Sequence, residues 1–247
     1  MKIKLLFLAV FIGMVWLSAH QVALRIPENT RKDNDKLIIV AFGNSITATR
    51  KTVNQVFAQR LPGLLKERGI DVKLINSGIG GSHTGRLADN DRHKVRHALD
   101  RFESDVLAHN PDVVIIGFGT NDAHIDSKLE GGPSRIPLEK YNKNLTYMIT
   151  KLQKQGALVI LIAPNALGQK QGRLQNDRLS QYVQVVRNLC NTYHTGLVDN
   201  FQMFNDYHNQ PGQDMDDLML DGTHPNDKGH ELIAERLAKE IMSQVNK

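Results

Sequence analysis

Ser45, Asp221 and His224 are the residues whose types and spacing point first to chemistry. Ser45 lies in "IIVAFGNSIT" (residues 38–47), where an apolar run reaches Gly-Asn-Ser and a helix-like segment follows. A serine hydroxyl is a poor nucleophile at neutral pH and needs a base within hydrogen-bond reach. Histidine, with an ordinary pKa of about 6.5, can take that proton and return it to a leaving group. The imidazole in turn needs a carboxylate to fix its tautomer and orientation. In "DGTH" Asp221 precedes His224 by three residues, so one turn can present both side chains. The oxyanion of a tetrahedral intermediate needs preorganised donors. Backbone N–H groups around Gly78, Gly80 and Gly81 in "NSGIGGSHTGR" can supply one, and the side-chain amide of Asn121 in "GFGTNDAH" another.

Each part has a structural reading beside the chemical one. A serine ahead of a helix commonly caps it. The glycine cluster could serve turns only. Asn121 and Asp122 could form Asx turns or caps. Asp221 to His224 could be turn chemistry before the last helix, with Pro225 suiting its entry and Asp227 capping it.

The surrounding pattern places all four segments together. Short Val/Ile-rich runs at "LIIVAF" (37–42), "VKLINS" (72–77), "DVVIIGF" (112–118), "ALVILIA" (157–163) and "GLVDN" (196–200) read as strands buried on both faces. Amphipathic stretches lie between them at 52–69, 93–110, 137–156 and 178–194, and a last one runs over 226–245. That alternation predicts a doubly wound α/β domain with a parallel sheet of about five strands. In such sheets ligands bind beyond the carboxyl ends of the strands, where Ser45, Gly81 and Asn121 fall.

Taken together, "GNSIT", "NSGIGG", "GTND" and "DGTH" resemble the four blocks of the SGNH/GDSL hydrolase superfamily, from about Leu37 to the end of the chain. The resemblance implies a three-layer α/β/α, flavodoxin-like fold and a serine esterase that uses no metal and no organic cofactor. It implies Ser45 as nucleophile, His224 and Asp221 as its base and orienting acid, and Ser45, Gly81 and Asn121 as oxyanion donors. The family's first block usually reads Gly-Asp-Ser, and Asn44 departs from it by matching aspartate in shape without the charge. The Gly-x-Ser-x-Gly elbow of α/β-hydrolases is absent around Ser45.

Residues 1–19 have the layout of a secretory signal: Lys2 and Lys4, the apolar "LLFLAVFIGMVWL", then Ser18 and Ala19. The apolar run falls short of the roughly 20 residues that span a bilayer. Leu17 makes a poor cleavage site, so an uncleaved N-terminal anchor stands as the alternative. Residues 20–36 read as an exposed leader and 37–247 as one hydrolase domain. The expected location is therefore outside the cytoplasm, periplasmic or extracellular, with no stable membrane insertion after cleavage. A formal charge of +5 on scattered basic residues, with no Lys/Arg block among aromatics, does not suggest nucleic acid. The single cysteine, Cys190, falls on the apolar face of a helical segment and reads as a core thiol.

The long loops at 81–93 and 122–137 are polar, and Arg86, Asp89, Asn90, His124 and Arg135 are candidates to line a hydrophilic cleft, with Asn44, Arg86 and His124 foremost for substrate. A polar cleft on an exported enzyme favours small acyl groups, such as acetyl, on a glycan or other water-soluble small-molecule ester. The alternatives are a lipase, lysophospholipase or thioesterase with the same machinery, and a non-catalytic glycan-binding member of the fold.

Overall fold

A computed structural model describes residues 36–126, 131–168, 171 and 173–245. The signal segment 1–19 and almost all of the leader lie outside the described residues. Five parallel strands form one sheet: β1 (Leu37–Gly43), β2 (Val72–Gly78), β3 (Val113–Gly117), β4 (Leu158–Ala163) and β5 (Gly196–Asp199). Their order is β2-β1-β3-β4-β5, the doubly wound order of flavodoxin-like folds.

Alternation along each strand feeds two cores. Ile39 and Ala41 of β1, Val113 and Ile115 of β3 and Ile160 of β4 pack against α1 (Phe57–Glu67), α6 (Asn200–His208) and α7 (Asp227–Val245). Val40, Phe42, Val114, Ile116 and Leu161 face the other way, onto α2 (Ala98–Asp105), α4 (Leu138–Lys154) and α5 (Arg173–Tyr193). Fully buried side chains such as Leu61, Leu65 and Ile115 contribute about 1.5–3 kcal/mol each relative to exposure. Both faces are covered in the central strands β1, β3 and β4, which explains their unbroken apolar runs. The edge strands β2 and β5 depart from the expected burial on both faces: in β2 only Val72 is buried, and β5 alternates buried and half-buried residues, because an edge strand has a neighbour on one side only.

Several helix starts differ from the pattern. No helix follows Ser45 directly: a single turn closes there, and α1 begins only at Phe57. Residues 93–97, expected as helix, are irregular, and α2 starts at Ala98 because the preceding segment folds over the glycine loop. There His97 Nδ1 accepts the His83 N–H at 3.2 Å. The last strand stops at Asp199, whose Oδ1 accepts the Gln202 N–H at 3.0 Å and starts an unanticipated α6. Asn226, not Asp227, caps α7, taking the Gly229 N–H at 3.1 Å on Oδ1. Asp227 instead holds Arg60 at 2.6 Å.

Cys190 is half-buried and its thiol donates to Thr195 O at 3.0 Å; burial pushes its pKa up, as befits an unreactive thiol. Among the described residues no helix is long and apolar enough to cross a membrane.

Candidate active site

Three strands end in glycine at one level: Gly43 pairs with Gly78 on one side and Gly117 on the other. The turn after β1 folds back over that row. A Cβ on Gly78 would lie 2.2 Å from Ala48 N, and one on Gly43 would lie 2.7 Å from Gly117 O, so only glycine admits the fold-back. Asn44 organises the turn. Its carbonyl accepts the N–H groups of Thr47 and Ala48 at 3.2 and 3.0 Å, and its Oδ1 accepts that of Ile46 at 3.0 Å. The strand-end carbonyls are also met: the buried Arg101 guanidinium donates to Gly43 O at 2.9 Å and to Ser77 O at 2.7 Å.

With Asn44 serving as the cap, the Ser45 hydroxyl is left for the cleft. Its Oγ stands 2.9 Å from His224 Nε2. On the far side of that ring, Nδ1 is 2.8 Å from Asp221 Oδ2. A carboxylate only accepts, so Nδ1 carries the proton of the neutral ring and Nε2 presents a lone pair to Ser45. The other Asp221 oxygen, Oδ1, accepts the N–H groups of Thr223 and His224 at 3.0 and 2.8 Å. Burial raises the Asp221 carboxyl, but the His224 backbone and ring and the Thr223 N–H outweigh it and hold the pKa at about 2. The loop is tethered to the end of β4 through Asn165 Nδ2, which donates to Thr223 O at 3.2 Å.

Opposite the serine, the glycine loop and the one-turn helix α3 (Thr120–Ala123) come together. Gly80 faces Ser45, a Cβ there lying 4.0 Å from Ser45 Cβ. Gly81 has φ +75°, and a Cβ on it would sit 2.6 Å from His93 Cγ. The N–H groups of Ser45 and Gly81 have no acceptor among the described residues. Asn121 Nδ2 donates to Ser82 O at 2.9 Å, and its Oδ1 faces Arg135 Nη1 at 3.3 Å. The neighbouring Asp122 is buried and accepts the Thr84 N–H and hydroxyl at 2.9 and 2.5 Å, which binds the glycine loop to α3. Burial raises its pKa against those bonds.

These groups open onto a cleft of about 220 Å³ lined by Ser45, Asn121, His224, His93, Thr120, His124, Arg135, Gln171, Gln175, Arg178 and Thr223, with Ala123, Ile125, Leu167 and Leu179 as its apolar wall. His93 and His124 are both shifted below the ordinary imidazole value, by burial first and then by the Arg135 charge. Asp221 stands behind His224, and Gly81 stands beside the cleft under His93.

Two expected substrate residues are elsewhere. Asn44 is buried beneath the serine turn, 2% exposed, and lines a second, smaller pocket instead. Arg86 does not line the cleft, because its guanidinium is turned to Leu99 O at 2.7 Å and toward Asp100. Asp89 is likewise drawn away to Lys140 and the Arg86 N–H, and the Asn90 carbonyl faces His83 Nε2. His93, Gln175 and Arg178 were not anticipated. His93 lies in a stretch whose apolar spacing reads as helix, and the other two reach the site only through the packing of α5. Among the described residues no group of three or more His, Cys, Asp or Glu side chains is placed to hold a metal ion.

A family model described as the GDSL-like Lipase/Acylhydrolase family matches residues 41–232. The chain is 35% identical over 128 residues to an uncharacterized lipoprotein, YqeF, of Bacillus subtilis, a match that covers 50% of this chain and 46% of that protein. It is 27% identical to an arylesterase of Vibrio mimicus, over 86% of this chain and 90% of that one. The solved structure of the acetyl xylan esterase AlAXEase superposes with a TM-score of 0.66 at 29% identity, over 82% of this chain and 98% of that one.

Proposed function

The chain belongs to the GDSL-like lipase/acylhydrolase family, and from that membership we propose that it is a serine esterase that works through an acyl-enzyme on Ser45. The observation that carries this reading is the continuous relay of Ser45 Oγ, His224 and Asp221, at 2.9 and 2.8 Å. Ser45 Oγ attacks the acyl carbon while His224 Nε2 takes its proton, and Asp221 steadies the imidazolium that forms. The oxyanion rests on the Ser45 and Gly81 N–H groups and the Asn121 amide. The tetrahedral intermediate collapses, the ester C–O bond breaks, and His224 returns the proton to the departing alcohol. Water then enters, loses a proton to His224 and releases the acid, restoring the serine.

The substrate is a small acyl group, acetyl foremost, on a carbohydrate or other water-soluble alcohol. A cleft of about 220 Å³ lies below the roughly 300–1,000 Å³ of pockets for drug-sized ligands, and polar side chains from several elements share its lining with the apolar wall of Ala123, Ile125, Leu167 and Leu179. An arylesterase and an acetyl xylan esterase among the similar proteins are in keeping with that choice. Residues 1–19 export the protein, leaving 37–247 as its hydrolase domain; N-terminal sequencing of the extracytoplasmic protein tests this.

An ester panel tests the substrate. Acetyl and butyryl p-nitrophenyl esters and acetylated xylan are expected to turn over, and dodecanoyl and longer esters to be poor. Preference for the long chains with no activity on acetyl esters would overturn the assignment.

A further inference from the structure

Asn121 can offer an oxyanion an N–H only if its amide is held the right way round. The terminal torsion of an asparagine is broad and nearly two-fold, so the amide by itself does not choose which atom faces the serine. Ser82 O takes one N–H at 2.9 Å and leaves the second available. The other end of the amide is met by Arg135 Nη1 at 3.3 Å from Oδ1. A guanidinium only donates, so the atom it faces must be the oxygen.

Arg135 is itself held. Its Nε lies 3.0 and 2.9 Å from the two Asp126 oxygens, and Nη2 lies 2.7 Å from Oδ1. The side chain is 6% exposed. Its backbone is fixed separately, by the Arg135 N–H to His124 O at 2.9 Å and the Ile125–Ser134 bridge. The loop is therefore closed without Nη1, which is left to face the amide.

We propose that Arg135, clamped by Asp126, is a positioning residue that acts with Ser82 O to hold the orientation of the Asn121 amide, and that it strengthens the free N–H as an oxyanion donor. The inference rests on the esterase reading for its kinetic consequence, but not for the tether itself. At 3.3 Å the contact is long for a hydrogen bond, so its effect is that of a charge on a dipole: a cation at Oδ1 polarises the amide and makes the opposite N–H more acidic. The field reaches the cleft, since it contributes to holding His93 and His124 below their ordinary values. Asp126, Arg92, His93 and His124 are the charged or titratable groups around Arg135.

The test crosses Arg135→Gln with Asn121→Ala and follows kcat and KM on p-nitrophenyl acetate. Losing an oxyanion donor costs on the order of 10²–10³ in rate, and a misaligned donor keeps part of that, so Arg135→Gln is expected to lower kcat by about 10–30-fold. KM should stay within about threefold, and in the Asn121→Ala background the same change should matter less than about twofold. Arg135→Lys keeps a charge but not the planar fork, and should recover only part of kcat. It also replaces Arg135→Gln should that variant not fold. The Asn121 side-chain NH₂ signals, assigned by their loss in Asn121→Ala, give a reading without substrate and should move in Arg135→Gln. Unmoved signals, or an equal kcat loss in both backgrounds, would overturn the proposal. Moved signals in a protein that hydrolyses no ester would uphold the tether and sink the esterase reading instead.

Discussion

Asn44 Oδ1 accepts the backbone N–H of Ile46 at 3.0 Å, so the cap of the serine turn belongs to Asn44 and not to Ser45. A serine following a strand is ordinarily as good a cap as a nucleophile. Here the neighbour does the capping, and the hydroxyl stands 2.9 Å from an imidazole.

Asn44→Asp is therefore predicted to keep both the fold and the activity. A carboxylate oxygen can accept the same N–H, and kcat should change by less than about tenfold, because the position is buried beneath the site. Asn44→Ala removes the acceptor that closes the turn and leaves the buried Ile46 N–H unmet, which should cost about 1–3 kcal/mol in urea unfolding. A folded but inactive Asn44→Asp would show that this position acts on the chemistry itself.

Asp221 gives a prediction with a definite sign. Its folded pKa of about 2 lies below an unfolded value of about 3.9. The ionised form is thus the one the fold favours. Its contribution to stability is complete above about pH 4 and is lost as pH falls through about 2. The stability difference between wild type and Asp221→Asn should shrink over that window, and a flat difference would contradict the assignment. At neutral pH, Asp221→Asn is expected to lower kcat by at least ~10²-fold, since the imidazole loses its orienting acceptor.

Gly81→Ala should damage the site by two routes. The residue sits at φ +75°, and a Cβ would meet the His93 ring at 2.6 Å. Strain of this kind costs about 1–3 kcal/mol, and turning the Gly81 N–H away should lower kcat by at least ~10-fold. Thermal melts together with kcat on an acetyl ester check both effects.

Arg101→Leu is predicted to destabilise without touching substrate. The guanidinium is buried and donates to Gly43 O and Ser77 O, at the ends of the two strands that carry the serine turn and the glycine loop. Stranding those carbonyls should cost about 2–4 kcal/mol, read by urea unfolding. An unchanged midpoint would mean that water replaces the arginine at no cost.

The central strands were legible because burial on both faces leaves continuous apolar runs, as at Ile39–Phe42 and Val113–Ile116. The side chains that converge on the cleft from the ends of those runs were legible for the same reason, since a parallel sheet gathers its carboxyl ends along one edge. Helix starts were harder. Apolar spacing continues through residues 93–97, but His97 is the extended N-cap of α2, with its N–H held by Asp100 Oδ2 at 3.0 Å and its ring turned to the His83 N–H, so the helix starts after it. Arg86 looked available because it lies in a polar loop, yet a guanidinium bonds the nearest carbonyl, here Leu99 O. His93, Gln175 and Arg178 reach the cleft through packing between distant segments, which no local pattern records.

The most direct test of the central claim is where an active-site serine label lands. After reaction with a fluorophosphonate, mass spectrometry of the digested protein should find the adduct on the peptide that carries Ser45. Ser45→Ala should abolish it and His224→Ala should make it much slower, because the relay that activates the hydroxyl is broken. Full esterase activity with no adduct on Ser45, or turnover undiminished in Ser45→Ala, would contradict the account.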